Sequence, residues 1–452
     1  MIVIKKIKYL IINNILYFLI IDNFFKIVAH ISIFLFKFEL KNNLFFKKKI
    51  FTVIQVDTFG DSLDQVMLVR LLNMLNKEKY LLIGTDNFPN NIYFRFFLKK
   101  DSYYYYNEKF YLKILFFIKS LPFRGEYLIQ RYNYIIRCQL IKNFNKFVYF
   151  ENLSSWQKAD LQNKILDKRS FSDDFKKSFV DFYSKDSFDK SQRILSSSGN
   201  KKFIRKRDIK GYDINYKDYL FKKLNLIKKK YVCLNFRKSE KDIDLIINNH
   251  RSHFNITNFF SLIKFLNKKN YTVVLTGSPN VYIKEIFEKE SKLKVIDYRN
   301  SGLQNLKNDI YVFANCSFYI GPLSGPTILA MYLNKPILLM DLVNYADIVF
   351  RHYKKIIFCP KKIIEKRKNR ILSIKESLYL PSIYKDRDFN NKKYGTQDLT
   401  SEERLKAVKV FLKMKSNNSY FFNSKWHKKM KFSLDPVVHK DIISNIEQIF
   451  YL

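Results

Sequence analysis

Residue types suited to holding an anion collect in a few loops of this 452-residue chain. Gly321-Pro322-Leu323-Ser324-Gly325-Pro326 lies between an apolar run at 317–320 and a helical stretch at 327–333. Gly321 and Gly325 let backbone approach a ligand closely, and Ser324 supplies a hydroxyl. The helix start adds unpaired N–H groups at the positive end of its dipole. Such a cradle suits a diphosphate. Arg237 follows the apolar run 231–236, and Arg251 precedes the next helical stretch, 256–266; each guanidinium can grip phosphate oxygens bidentately. Gly277 and Ser278 end a third run, 271–276. Taken singly, these features read as a helix start, surface ion pairs and a turn. Their shared position, just after strand-like runs, points to one ligand-binding edge. The loop fits neither GxxxxGK[ST] nor GxGxxG, so it is not a Walker or dinucleotide fingerprint. A similar turn, Asp57-Thr58-Phe59-Gly60-Asp61-Ser62, occurs early in the chain, with a purely structural turn as the competing reading. His250 and His253 have no Cys or carboxylate cluster at metal-ligand spacing, so no metal site is expected. Cys138, Cys233, Cys316 and Cys359 form no CxxC pair, and Cys233 and Cys316 sit in apolar runs, as buried reduced thiols do.

The elements that must position these loops follow from hydrophobic period. A strand is expected at 51–56 and a helix at 63–75, where Leu63, Val66, Met67, Leu71 and Met74 recur at helical spacing. A second strand at 80–84 and a helix at 87–100 continue a βαβ alternation. Beyond them, 103–106 is an aromatic run, 127–136 and 146–150 are strand-like, and 151–225 reads as helices and a mobile linker without a site. From 231 the alternation resumes, with strands at 231–236, 271–276, 295–297, 317–320 and 336–340. Helices at 256–266, 281–289, 309–314 and 327–333 separate them. Short strands alternating with helices make a parallel, doubly wound sheet.

Composition narrows the class. Lys and Arg number 82 against 41 Asp and Glu, a net charge of +41 that favours polyanions: nucleic acid, anionic lipid or phosphorylated substrates. Lys, Asn, Ile, Phe and Tyr share A/T-rich codons, which accounts equally for lysine spread along the chain. At 47% apolar and 17% aromatic residues, the chain has ample surface to bury, which excludes disorder. Two apolar stretches at 9–21 and 24–36 are interrupted by Asn13, Asn14, Lys26 and His30 and flanked by lysines. Neither reaches the ~20 unbroken apolar residues of a spanning helix. An apolar body with basic flanks suits a helix lying in the interface of an anionic leaflet. A tilted spanning helix and a helix packed on the protein are its rivals.

The span 231–378 resembles a bacterial glycosyltransferase family of the GT-B type associated with surface-polysaccharide synthesis. The matching pieces are Asn235-Phe236-Arg237, Arg251, Val295-Ile296-Asp297-Tyr298, the segment from Phe318 to Gly325, and Leu338 to Asp341. The Asp57–Gly60 turn resembles the family's acceptor loop. Thr400-Ser401-Glu402-Glu403 resembles its late capped helix, and Thr400 and Glu403 also have capping-box spacing. The resemblance implies an α/β chain of two Rossmann-like doubly wound domains facing a cleft, with an N-terminal apolar membrane-associating segment. Its divisions would be 1–48 for that segment, 49–225 for an acceptor domain with linker, 226–385 for a nucleotide-sugar domain and 386–452 for a helical tail. The implied reaction moves a sugar from a nucleotide-sugar to a lipid-linked or saccharide acceptor. Arg237, Arg251, Ser324 and Gly325 would hold the donor diphosphate, and Gly277, Ser278, Asp297 and Gly321 the nucleotide. Asp57 and Asp61 would serve as base, with Asp64 as an alternative. No metal, no cofactor and no nucleic-acid partner are implied, and the expected location is the cytoplasmic face of the inner membrane. The family's histidine before the arginine is Asn235 here, the histidine after Gly60 is Asp61, and tandem serines reduce to Ser324. Those departures keep an inactive nucleotide- or sugar-binding scaffold as the alternative.

Overall fold

The computed structural model describes residues 23–24, 27, 31, 50–53, 63, 66–67, 69–71, 73–74, 80–85, 96–98, 103–106, 203–236, 256–277, 293–342, 355–372, 376 and 393–416. The chain divides into two compact units, Met1–Asn152 with Asp160–Arg193, and Leu153–Ala159 with Ile194–Leu452.

In the first unit, β1 (Ile50–Val53), β2 (Tyr80–Thr85) and β3 (Tyr103–Tyr106) form a parallel sheet in that order. Ile50 is in register with Tyr80, and Leu82 with Tyr103. Parallel neighbours need a crossover, and the described residues between 63 and 74 are helical, burying Leu63, Val66, Met67, Val69 and Leu71. Met74, expected on the same stripe, is 52% exposed, so burial stops a turn before the periodicity does. The aromatic run 103–106 is a strand, in keeping with the β propensity of aromatic residues. The turn with Asp57, Gly60 and Asp61, and the strands expected at 127–136 and 146–150, lie outside the described residues. Near the amino terminus, residues 23, 24, 27 and 31 are helical, and Phe24, Ile27 and Ile31 are exposed. No helix among the described residues is long and apolar enough to cross a membrane.

The second unit is built on six parallel strands: β4 (Tyr231–Asn235), β5 (Thr272–Thr276), β6 (Val295–Asp297), β7 (Tyr319–Gly321), β8 (Ile337–Leu342) and β9 (Ile356–Pro360). Their spatial order is β6-β5-β4-β7-β8-β9. Numbered within the sheet this is 3-2-1-4-5-6, the Rossmann order, and the strand order reverses between β4 and β7, which themselves pair in parallel. Helices α1 (Ile214–Lys223), α2 (Phe260–Lys268), α3 (Leu306–Asn315), α4 (Gly325–Tyr332) and α5 (Ser401–Ser416) accompany it. One sheet face, with Val232, Leu234, Val273, Leu275, Ile320, Leu338 and Met340, packs on Leu262, Ile263 and Leu266 of α2 and on Val408 and Phe411 of α5. On the other, the Tyr231 hydroxyl donates to the Val312 carbonyl of α3 at 2.6 Å, and the Phe221 ring of α1 meets Tyr231 at 6.0 Å. Burial on both faces explains why β4 and β5 read as continuous apolar runs rather than alternating ones. Cys233, Cys316 and Cys359 are free buried thiols; Cys138 lies outside the described residues.

Three features depart from the sequence expectation. The run 336–340, taken as the last strand, is followed by β9, which extends the sheet. A small antiparallel sheet, β11 (Arg370–Ile371), β10 (Lys362–Glu365) and β12 (Tyr394–Gln397) in that order, has no counterpart in the sequence reading. α5, expected within a C-terminal tail, is part of the core: Val408 and Phe411 are fully buried, each contributing about 1.5–3 kcal/mol. The spacing of Thr400 and Glu403 forms the capping box it predicts: the Thr400 amide donates to Glu403 Oε2 at 2.8 Å, and the Glu403 amide to Thr400 Oγ1 at 3.2 Å. Arg404 then locks α5 to β8. Its Nη1 and Nη2 donate to Asp341 Oδ2 and Oδ1 at 2.6 and 3.0 Å, its Nε to the Leu399 carbonyl at 3.3 Å, and its guanidinium lies 4.0 Å from the Phe259 ring centroid. Residues 194–225, placed by sequence with the first domain's linker, fall in the second unit.

Candidate functional site

In an open parallel sheet the ligand crevice opens at the carboxyl ends of the strands, where the strand order reverses. Here that point lies between β4 and β7. Asn235 ends β4 and is 4% exposed; Gly321 ends β7; Ser324 caps α4. Asn235 Nδ2 donates to Ser324 Oγ at 3.0 Å, and Ser324 Oγ donates to the Pro322 carbonyl at 3.2 Å. Thr327 Oγ1 donates to the same carbonyl at 2.7 Å and lies 3.3 Å from the Tyr319 hydroxyl. Burial pushes the Tyr319 hydroxyl up to about 12, so it stays protonated and available to this network. Ser324 therefore spends its hydroxyl on shaping the loop. Pro326, in the first turn of α4, has no N–H to offer. The backbone amide of Gly325 is the donor left at the helix start for an anion.

Two glycines make room for Asn235. A Cβ on Gly277 would lie 2.0 Å from Asn235 Oδ1, and Gly277 has φ +99°, a region costly for other residues. A Cβ on Gly321 would lie 2.6 Å from the Tyr319 hydroxyl and 2.9 Å from Asn235 Cβ. The glycines predicted to face ligand thus first let the ends of β4, β5 and β7 close on one another.

The end of β6 carries a group that sequence reasoning missed. Arg299 is 3% exposed, its Nε donating to Asp297 Oδ1 at 3.1 Å. Its Nη1 and Nη2 are buried without a hydrogen-bond partner among the described residues. Burial lowers the guanidinium pKa, and Asp297 opposes the shift. Asp297 also accepts from Asn300 Nδ2 through Oδ2 at 2.7 Å, so both carboxylate oxygens, expected to face the nucleotide, are engaged locally. Gln304 Nε2 donates to the Gly277 carbonyl at 2.9 Å, tying the loops after β5 and β6 together. Four buried side-chain polar atoms lack a partner among the described residues, and three of them, Asn235 Oδ1 with Arg299 Nη1 and Nη2, belong to this edge. Buried polar groups are nearly always satisfied by protein or water, so this cluster makes the edge the candidate site. The sequence signal was present in Tyr298-Arg299-Asn300 directly after a strand, but nothing in its spacing showed that Arg299 would be buried.

Of the residues expected from sequence, the fold brings Gly277, Gly321, Ser324 and Gly325 together around Asn235, and sets Asp297 at the end of β6. Arg237, Arg251, Ser278, Asp57 and Asp61 lie outside the described residues. Among the described residues no group of three or more His, Cys, Asp or Glu could hold a metal ion.

No protein-family model matches the chain, and no curated protein matches it. Solved structures do. ADP-heptose LPS heptosyltransferase II from E. coli aligns with 13% identity and a TM-score of 0.43, covering 81% of this chain and 99% of its own. A glycosyl transferase family 9 protein from Veillonella parvula aligns with 11% identity and a TM-score of 0.45, over 81% and 97%. The UDP-GlcNAc 2-epimerase from Methanocaldococcus jannaschii aligns with 10% identity and a TM-score of 0.35, over 81% and 99%. These scores lie below 0.5 and assign neither activity nor residue roles to this chain.

Proposed function

We propose that the chain is a glycosyltransferase of GT-B type, moving a sugar from a nucleotide-sugar to a lipid-linked or saccharide acceptor of surface-polysaccharide synthesis. The observation that carries this reading is the meeting, at the reversal point of a 3-2-1-4-5-6 sheet, of a glycine loop, a helix start and buried polar atoms without partners. In the proposed reaction the acceptor hydroxyl oxygen bonds to the anomeric carbon. The bond from that carbon to the diphosphate oxygen breaks, and the nucleoside diphosphate leaves with the electron pair. The Gly325 amide, Arg237 and Arg251 stabilise the charge that grows on the leaving diphosphate, cationic side chains taking the part a metal plays elsewhere. Gly277, Ser278, Gly321 and Asp297 line the nucleotide, and Asp57 or Asp61 takes the hydroxyl proton if the reaction inverts. The location proposed is the cytoplasmic face of the inner membrane. The exposed Phe24, Ile27 and Ile31, spaced three and four apart on helical backbone, support contact of the first 48 residues with an anionic leaflet.

A scaffold that binds nucleotide or sugar without turnover has one observation in its favour. Asn235, standing where the resembled family has histidine, spends its amide on Ser324. Two measurements separate the readings. A panel of nucleotide-sugars should raise the melting temperature, since a ligand at a hundred times its Kd stabilises by about 2.7 kcal/mol; no shift across the panel would sink both. Turnover of the binding donor, abolished by Arg237→Ala and by Arg251→Ala, supports the transferase. Binding without turnover supports the scaffold.

A further inference from the structure

The opposite edge of the same sheet gathers lysines. Lys228, Lys229 and Lys230 precede β4, Lys335 precedes β8 and Lys355 precedes β9. Because the strands are parallel, all five stand at the amino edge, and β4 to β9 is three strand spacings, roughly 14 Å. Lys206 joins them through its Nζ, which donates to Asn315 Oδ1 at the end of α3. The Lys229 amide donates to the Asn315 carbonyl at 3.0 Å, and Lys335 Nζ to the Cys316 carbonyl at 3.1 Å. Two lysine side chains, Lys206 and Lys335, thus bond to two consecutive residues, and the Lys229 backbone joins them there. Burial first, and the neighbouring Lys228, Lys335, Lys217 and Lys229 after it, bring the Lys206 ammonium down to about 8. Residues 203–230 carry ten Lys and Arg against three Asp. Of those carboxylates, Asp208 accepts from the Arg205 amide, Asp213 caps α1 and Asp218 pairs with Lys217. Beside the cluster Ile227 is 62% exposed. The result is an edge with exposed positive charge at Lys228, Lys229 and Lys230, with no carboxylate partner among the described residues, beside an exposed aliphatic side chain, a surface suited to an anion-bearing partner.

We propose that the amino edge of the second unit's sheet is a docking face for an anionic lipid bilayer, with the exposed Lys228, Lys229 and Lys230 meeting phosphate headgroups, Lys206 and Lys335 adding positive charge behind them, and Ile227 entering the interface. The pairing of flexible point charges with an exposed aliphatic side chain favours a bilayer over nucleic acid, where guanidinium forks and stacking rings do the recognising. The face lies at the opposite strand ends from the proposed donor site and does not depend on that reading. A lysine near an anionic leaflet strengthens binding by roughly fivefold. The triple variant Lys228→Ala, Lys229→Ala, Lys230→Ala, in the full chain, should therefore bind vesicles of phosphatidylcholine with phosphatidylglycerol about a hundredfold more weakly. Its melting temperature should not change, because all three side chains are exposed. Binding to pure phosphatidylcholine should stay as in the wild type, and Ile227→Asp should weaken anionic-vesicle binding with the lysines intact. Unchanged binding of the triple variant to anionic vesicles would overturn the proposal, as would no wild-type binding, or a larger loss of duplex DNA binding than of vesicle binding. Any nucleotide-sugar thermal shift should survive the triple variant, which separates failure of this face from failure of the donor site.

Discussion

Two regions of the second unit each bury an arginine, and they treat it in opposite ways. At the junction of β8 and α5, every guanidinium nitrogen of Arg404 has an oxygen partner, two of them on Asp341. At the end of β6, among the described residues, Arg299 is paired through Nε alone, and its two terminal nitrogens have none. Burying a charge costs several kcal/mol unless partners restore what water supplied. The junction meets that condition within the chain, so it reads as structural. The β6 end leaves it unmet, as a site does when a ligand is to complete it.

Removing Arg404 tests the structural half. Arg404→Ala strands the fully buried Asp341 carboxylate and should lower unfolding free energy by about 3–5 kcal/mol in urea denaturation. The double variant Arg404→Met, Asp341→Leu should recover most of that loss, because no charge is left unpaired. Gly277→Ala probes the packing that sets Asn235 at the site edge. Its φ of +99° and the 2.0 Å approach to Asn235 Oδ1 should cost about 1–3 kcal/mol. Asn235→Gly should return only part of this, since it relieves the contact and not the dihedral. Arg299→Met should change stability by about 1 kcal/mol or less, while weakening nucleotide binding about tenfold in calorimetry. A loss of stability as large as that of Arg404→Ala would erase the contrast between the two regions.

The smallest effect concerns Asp309, whose Oδ1 accepts from the Tyr298 hydroxyl at 2.9 Å beside the same edge. Burial raises its carboxyl to about 6 from an ordinary value near 3.8, with the Tyr298 bond opposing. Between those values the folded chain holds a proton that the unfolded chain has released. This contribution is therefore present below pH 3.8 and lost as pH rises toward 6. Asp309 is partly exposed, so the slope should be shallow. Melting temperatures of Asp309→Asn across that window should lose this component.

Much of the second unit was legible along the chain. Strands 231–235 and 272–276, buried on both faces, have unbroken apolar centres at 231–234 and 273–275 and stand out without alignment or template. The Gly321–Pro326 loop and the Thr400–Glu403 cap are local signals: three or four adjacent residues settle a turn or a helix start. The small β10–β12 sheet was not legible, because its strands are two to four residues long and β10 pairs with β12 across a gap of more than twenty. The bond Ser324 accepts from Asn235, 89 positions earlier in the chain, has no local signal. Asp297 was read as facing the nucleotide, yet Arg299 and Asn300 engage it first.

What the sequence determined by itself is the alternation of strands and helices, the glycine-bearing turns and the excess of lysine, since each is set by residue types within a few positions of one another. Only the tertiary structure decided the 3-2-1-4-5-6 order, the pairing of Asp341 with Arg404 across 63 positions, the half-satisfied burial of Arg299 and the gathering of lysines at one sheet edge. The reason is physical. Burial and charge pairing depend on which segments meet, and in a parallel sheet the segments that meet are separated by whole crossovers. One lysine therefore looks like any other until the strand it precedes is placed beside its neighbours.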